Sequence, residues 1–462
     1  MSVRFDGQQI GAATGGRVVR DGPKGTIATD TRTIGAGTWF VALRGDRFDA
    51  HDFVRMAGER GAVGVVIDRE LDAIPGGAAF QGGVVVVPDT TRALQALGKA
   101  ARAAFSGPVA GLTGSSGKTT TRALIALALA PLGRVHQTTG NLNNHIGVPL
   151  TLLSRPEDAR AMVIEMGTSS PGEIEVLARL ATPDVRLIVN VGPAHLEELG
   201  GLDGVAVEKG ALFATARPGD AVCVNLDDPR IAALPVPPNV RRLTWGTTGD
   251  IALREARIDP VALATDAAWD TPVGRLSVRI PAPGHHIAHD AAGALCVALA
   301  LGIDLREAVA ALAAYEPVGM RLRSEPLPGG GRALNDAYNA NPASMEASLR
   351  LLASLPGRRA AVLGDMLELG PDELDWHRSI VALAGELGLD HVVLVGPRMA
   401  AVAAACPGAA VHPDPATAVE PLQQWLADGG AADVVLFKGS RGARVERVLL
   451  GLRGEIPSDG GH

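Results

Sequence analysis

One stretch restricts this chain more than any other: Val109-Ala110-Gly111-Leu112-Thr113-Gly114-Ser115-Ser116-Gly117-Lys118-Thr119-Thr120. The apolar run Pro108 to Leu112 reads as a strand and Thr121 to Leu132 as a helix, with a glycine-rich turn between them. Glycine has no Cβ to hold a polyphosphate away from the backbone, and backbone N–H groups at the head of a helix point at bound anions. A phosphate loop is therefore predicted. Lys118 supplies a point charge for the outer phosphates, and the Thr119 hydroxyl is placed to ligate Mg²⁺, which prefers oxygen donors. The strict pattern wants a glycine five positions before Gly117, where this chain has Leu112, so a Gly/Ser turn that merely precedes a lysine is the competing reading.

At 462 residues the chain exceeds one hydrophobic core, and two to four domains are expected. Aromatic residues make up only 3% of it, so the apolar mass of Ala, Val and Leu suits α/β layers rather than base-stacking surfaces. A formal charge of −7 argues against a general nucleic-acid or anionic-membrane binder, while a local basic pocket remains compatible. Cys223, Cys296 and Cys406 are odd in number and far apart, which gives no disulfide framework or metal spacing and favours a reducing compartment. The first residues lack a signal-peptide core and no run is long enough to span a membrane, so a cytoplasmic protein is expected, with Ser458 to His462 as a frayed tail.

Short apolar strands (Trp39 to Leu43, Val63 to Ile67, Val84 to Val87) alternate with helical stretches (Asp52 to Arg60, Thr90 to Phe105) ahead of the phosphate loop. Beyond the loop, Thr139-Gly140-Asn141-Leu142-Asn143-Asn144 is rich in amide donors and acceptors. It reads equally as a polar ligand loop and as a cluster of Asx turns. The strand Ala161 to Ile164 runs into Glu165, and Val185 to Val189 runs into Asn190 and then His195. Ligands of open parallel sheets sit beyond the carboxyl ends of the strands, so Glu165 and His195 are expected on the edge that carries the phosphate loop. Glu165 reads as a metal ligand or as a buried hydrogen-bonded carboxylate, and His195 as a ligand or a satisfied structural histidine.

Val207 to Gly210 is expected to begin a helix or turn, where Lys209 would ordinarily face solvent. Residues 220–283 turn to β composition, with Ala221 to Asn225 a strand and with Leu243 to Gly246 and Gly274 to Ile280 flanking polar hairpin-like turns. An Ala-rich helix follows from His289 to Leu301. A third α/β unit opens near Pro317, with strands Ala360 to Leu363, His391 to Val395 and Asp433 to Phe437, and with polar groups again at the strand ends.

Together these motifs resemble the Mur ligase family, over nearly the whole chain. Thr113 to Thr119 is that family's form of the phosphate loop, which explains Leu112. Thr139 to Asn144 followed by Ile146-Gly147-Val148-Pro149 resembles the branch that adds D-alanyl-D-alanine. Asn190 to Glu197, Asp336 to Pro342, Gly364 to Gly370 and Lys438 to Arg441 join it. The resemblance implies an α/β fold of three domains: a small N-terminal domain over residues 1–106, a central P-loop ATPase-like parallel sheet over 107–315, and a Rossmann-like C-terminal domain over 316–462. It implies an ATP-dependent ligase, acting as a monomer on a UDP-N-acetylmuramoyl-tripeptide and D-alanyl-D-alanine through an acyl phosphate. In it Gly114, Ser115, Ser116, Gly117, Lys118, Thr119 and Thr120 hold ATP, joined by Arg321, Asp336 and Asn339. Thr119, Glu165, His195 and a carbamylated Lys209 hold Mg²⁺, and Lys118, Glu165, His195 and Lys209 form the catalytic set. Asp30, Thr31, Arg32 and the Gly45 to His51 loop bind the uridine nucleotide, Asn141, Asn143, Asn144, Thr168 and Ser169 the peptide, and Lys438 the incoming dipeptide.

The chain departs from the family at several points. Ala211 stands where an acidic residue usually follows Lys209-Gly210, Asn335 where Asp is common, and Ala50 where glycine is usual. The family's His-Asn-x-x-Asn-Ala adenine segment appears as His286-Ile287-Ala288-His289-Asp290-Ala291 and so lacks both amides. A ligase with another acyl or amino substrate, a nucleotide-hydrolysing motor and a non-catalytic binding relative are the competing functions.

Overall fold

In a computed structural model, which describes residues 2–45 and 48–455, the strands fall into three sheets, one after another along the chain. The first contains β1 (Arg17–Arg20), β2 (Thr26–Ala28), β3 (Thr38–Val41), β4 (Ala62–Ile67) and β5 (Gly83–Val86), in the order β1-β5-β4-β3-β2. Trp39 is fully buried in its core, and its indole N–H donates to Pro23 O at 3.0 Å, so the ring's one polar atom is satisfied. The helix Thr90–Ala103 and strand β2 pack against the helix Gly147–Leu153, which joins this unit to the next.

The central sheet has nine strands: β6 (Val109–Thr113), β7 (Val135–Gln137), β8 (Ala161–Glu165), β9 (Val185–Ile188), β10 (Ala221–Asn225), β11 (Arg241–Gly246), β12 (Ile251–Asp259), β13 (Ala264–Thr271) and β14 (Gly274–Ile280). Their order is β14-β13-β12-β11-β10-β9-β6-β8-β7. Strand β6 pairs in parallel with β8 on one side (Leu112↔Glu165) and β9 on the other (Thr113↔Ile188). All three are buried along their whole length and read as mostly apolar runs; the one charge inside β9, Arg186, is paired with Asp220. Their carboxyl ends open side by side on one edge. The third sheet contains β15 (Arg323–Pro326), β16 (Arg332–Asp336), β17 (Arg359–Gly364), β18 (His391–Val395), β19 (Ala410–His412) and β20 (Val434–Lys438), with β16 and β20 in parallel register at Asp336↔Lys438.

Several local expectations change. The phosphate-loop helix begins at Lys118 rather than Thr121, directly after Gly117 in left-handed conformation, and ends at Ala128, before a 3-10 turn containing Pro131. The Ala-rich helix starts at His285 rather than His289, behind Gly284 at φ 134°. Between the two hairpin-like segments lie two further strands, β12 and β13, paired antiparallel. Their outward charges meet across the ladder, as in Arg257–Asp266 and Arg254–Asp270, so a strand face read as polar turn. Val207 to Gly210 does not begin a helix; it lies inside Leu202–Ala214, and Lys209 is buried at 2% exposure rather than turned to solvent. The predicted tail, Ser458 to His462, and Asp46 and Arg47 of the predicted uridine loop lie outside the described residues.

Candidate active site

The phosphate loop is built by the end of β9 as much as by its own glycines. Ser115 N donates to Asn190 O at 3.1 Å and Ser116 N to Asn190 Oδ1 at 2.9 Å, while the Ser115 hydroxyl and the Gly192 backbone exchange bonds of 2.9 Å. A Cβ at residue 114 would stand 2.9 Å from the Val189 side chain, and residue 117 has φ +74°, so both positions demand glycine. Lys118 folds back to donate to Gly114 O at 2.6 Å. Burial pushes its ammonium down from the usual lysine value, with Glu165 opposing and Arg321 adding to the shift.

Next to the loop, Glu165 is 2% exposed and fully bonded. Its Oε2 accepts from the Thr119 hydroxyl and from Arg122 Nη1, each at 3.0 Å, and its Oε1 accepts from Asn143 Nδ2 at 2.9 Å. Glu165 is thus a buried, hydrogen-bonded carboxylate, and Arg122, its partner, is a member of this cluster that sequence reasoning passed over. Its signal was its place four residues after Lys118, one turn along the same helix. The Thr119 hydroxyl and Glu165 carboxylate are both hard oxygen donors, a pair whose chemistry suits Mg²⁺. Among the described residues no group of three or more His, Cys, Asp and Glu side chains makes an all-protein metal cage, so a Mg²⁺ ion here would lean on nucleotide oxygens and water.

His195 adopts the left-handed conformation (φ 54°), and its Nδ1 lies 3.0 Å from Glu368 Oε2 across the gap to the C-terminal unit, near enough to pair by charge though poorly aligned for a hydrogen bond. That imidazole holds Glu368 below the usual carboxylate range. Lys209, in the helix Leu202–Ala214, has no hydrogen bond or ion pair to its Nζ among the described residues. Burial pushes it down to about 7, helped by the Lys118 charge and opposed by Glu208. Glu208 itself is occupied by Thr168 Oγ1 and the backbone N–H groups of Gly172 and Ile174.

Ser115 to Thr120, Glu165, His195, Asn141, Asn143, Asn144, Thr168 and Ser169 line a single cleft of about 820 Å³. In the Asn cluster Asn143 donates to Glu165, Asn144 Oδ1 accepts from Ile146 N and Gly147 N at the start of the next helix, and all three asparagines line the cleft. Arg321, Asp336, Asn339 and Lys438 form the opposite wall. Lys438, 2% exposed, donates to Asp336 Oδ2 at 2.6 Å and Asn339 O at 3.2 Å, and the Arg321 guanidinium stacks 4.0 Å above the Tyr338 ring. Gly114 and Lys209 stand behind the lining rather than in it. Asp30, Thr31, Arg32 and Gly45 are outside it altogether: Asp30 caps the 3-10 turn Thr31–Thr33 and pairs with Arg32, and Gly45 N donates to Phe48 O at 2.9 Å. Asp30 follows strand β2, which packs on the helix capped by Asn144.

The sequence matches the Mur ligase middle domain over residues 112–298 and the Mur ligase glutamate ligase domain over residues 320–441. It is 35% identical to the UDP-N-acetylmuramoyl-tripeptide–D-alanyl-D-alanine ligase of Bacillus subtilis, over 92% of each chain. The fold superimposes on a crystal structure of MurF from Acinetobacter baumannii with a TM-score of 0.90 and 31% identity, covering 98% of this chain and 99% of that one. A MurF ligase from Thermotoga maritima in complex with ADP aligns at a TM-score of 0.82 and 29% identity, over 93% and 97% of the two chains.

Proposed function

The chain belongs to the Mur ligase family, and from that premise we propose that it joins D-alanyl-D-alanine to UDP-N-acetylmuramoyl-tripeptide with ATP, in peptidoglycan precursor synthesis. What carries the reading is one cleft with two unlike walls: a phosphate loop beside a buried carboxylate on one side, and a Lys438–Asp336 pair with Arg321 on the other.

An ionised carboxylate is a poor acylating agent. Phosphorylation gives it a leaving group: the tripeptide carboxylate attacks the γ-phosphorus, ADP departs, and the dipeptide amine then attacks the acyl carbon and expels phosphate. Lys118 and the N–H groups of residues 114–120 bind and orient the phosphates, and Thr119 and Glu165 would hold Mg²⁺, with His195 and a carbamylated Lys209 placed to hold a second ion. When bound, Mg²⁺ supplies positive charge that offsets the repulsion between the two reacting anions. Asn141, Asn143, Asn144, Thr168 and Ser169 present amides and hydroxyls to the peptide, while Arg321, Asp336, Asn339 and Lys438 serve the nucleotide and the dipeptide from across the cleft. Asp30, Thr31, Arg32 and Gly45 serve the uridine nucleotide. A buried lysine with no ion pair among the described residues and an amine pushed down to about 7 has the neutral nitrogen that CO₂ requires, and the product is a carboxylate where a cation would repel metal.

We place the domain boundaries at residues 106–107 and 315–316, each of the three sheets falling inside one unit. No helix among the described residues is long and apolar enough to cross a membrane; we assign the chain to the cytoplasm, as a monomer. The test is phosphate release from ATP in the presence of UDP-muramoyl tripeptide, with and without D-Ala-D-Ala. Release that requires both establishes the ligase. Release that requires neither is the behaviour of a motor, and nucleotide binding without release marks a non-catalytic relative.

A further inference from the structure

The loop after β17 carries Leu367, Glu368 and Leu369 into the lining of the cleft. It is fixed from behind: Met366 N donates to His377 Nε2 and Leu367 N to Ser440 Oγ, each at 2.9 Å, while the Met366 and Leu369 side chains are buried. Glu368 is the residue turned out, with its side chain 60% exposed. Its backbone is left-handed at φ 63°, a conformation unfavourable for a residue with a Cβ, and it faces His195 of the central unit, left-handed as well.

Five carboxylates line the cleft, and four are committed or shut away. Glu165 accepts from Thr119, Arg122 and Asn143. Glu173 accepts from Ser169 N, Ser170 N and the Thr168 hydroxyl, and Asp336 from Lys438, Ser348 and Leu322 N. Asp290 is 5% exposed and stands against the phosphate loop at Gly117. Glu368 differs from all of them. Its Oε2 has only the poorly aligned His195 Nδ1 at 3.0 Å, and its Oε1 has no hydrogen bond among the described residues.

An acceptor with a free α-amine arrives mostly as a cation at neutral pH, since such amines titrate at about 8. It enters a cleft lined by Lys118, Arg321, Lys438 and Arg441, whose charges repel it. An unoccupied carboxylate at the boundary of the two walls supplies the missing attraction. We propose that Glu368 binds the ammonium group of the acceptor dipeptide and aims its nitrogen from the C-terminal wall toward the phosphate-loop wall, where the acyl phosphate forms. Glu368 thereby selects an acceptor that carries an amine. The inference rests on the ligase reading and adds to it the group that recognises the second substrate.

The test compares D-Ala-D-Ala with N-propionyl-D-alanine, which keeps the dipeptide's frame and carboxylate and lacks only the ammonium. In steady-state phosphate release, E368Q should raise KM for D-Ala-D-Ala by about tenfold or more, the range for one charge-assisted hydrogen bond. The Ki of the analogue and the KM values for ATP and UDP-muramoyl tripeptide should hold. If E368Q turns over too slowly for a KM, calorimetric titration with both compounds, on enzyme loaded with a non-hydrolysable ATP analogue and UDP-muramoyl tripeptide, reads the same contrast. An unchanged KM, an equal rise in KM and Ki, or a wild type that binds both compounds equally overturns the proposal. A raised Mg²⁺ requirement with KM unchanged would make Glu368 a metal ligand and overturns it too. Absence of dipeptide-dependent phosphate release in the wild type removes the ligase reading itself, and the proposal with it.

Discussion

Lys209 and Lys438 are both 2% exposed, and their surroundings could hardly differ more. Lys438, at the end of β20, gives its ammonium to Asp336 and Asn339 O. Lys209, inside the helix Leu202–Ala214, has no hydrogen bond or ion pair to its Nζ among the described residues, and burial takes it down to about 7. A buried lysine with a counter-ion is a structural cation, whereas one without a counter-ion is a reactive amine kept at a cost in stability. The C-terminal wall thus presents fixed charge, and the interior behind the phosphate loop presents chemistry.

The largest effect expected from this contrast is on turnover. Lys209→Ala should lower kcat/KM by about a thousandfold, the scale of removing one transition-state charge stabiliser. A small free carboxylate such as formate should restore part of the rate, and a carbamate resonance seen with ¹³C-bicarbonate in the wild type should vanish. Full activity in the variant would remove the carbamate altogether, and loss without rescue would point to the amine as such. Lys438→Met should act first on the fold. It strips the cation from Asp336 and should cost about 3 kcal/mol in denaturant unfolding, the range for breaking one side of a buried pair; a loss below about 1 kcal/mol would mean that Ser348 Oγ and Leu322 N, which also donate to Asp336, suffice.

The two lysines also part company in pH. The folded value of Lys209 is lowered, so between about 7 and the ordinary lysine value of 10.5 the unfolded chain binds the extra proton. Stability from this group therefore rises with pH through that window, by at most about 1.4 kcal/mol per pH unit, and its penalty is fully present below pH 7. Lys209→Met should flatten that part of the unfolding profile relative to wild type. Identical slopes in the two proteins would show that folded Lys209 has no lowered amine titrating in this window.

This difference was invisible in the sequence, and the reason is geometric. On the same helix Val207 is 74% exposed while Lys209 is buried, so local hydropathy points the wrong way for both. A turn of helix decides which side chain faces the sheet, and residues 202–214 are too evenly apolar to announce it. The phosphate loop and strands β6, β8 and β9 were legible, because strands buried on both faces are mostly apolar runs that stop where the ligand edge begins, even with Arg186 inside β9. The pair β12 and β13 was not, since its solvent face is a ladder of alternating Arg and Asp. Arg122 needed the third dimension: its place one turn after Lys118 puts it on the loop helix, but only the fold shows that it pairs with Glu165.

The smallest effect sharpens the comparison within a single loop, where a side chain is satisfied by protein and still faces the cleft. Asn144 Oδ1 accepts from Ile146 N at 3.1 Å and Gly147 N at 2.9 Å, in the manner of a helix cap, which leaves its amide nitrogen free for a ligand. Asn144→Ala should lose about 1 kcal/mol of stability, the usual value of such a cap. If the free amide meets the peptide, KM for UDP-muramoyl tripeptide should rise severalfold while KM for ATP holds. Asn144→Asp separates the two roles, because it keeps the capping oxygen and discards the donor: stability should return toward wild type and the raised KM should stay. A variant that recovers both would make Asn144 scaffold and leave the contact with peptide to Asn141 and Asn143.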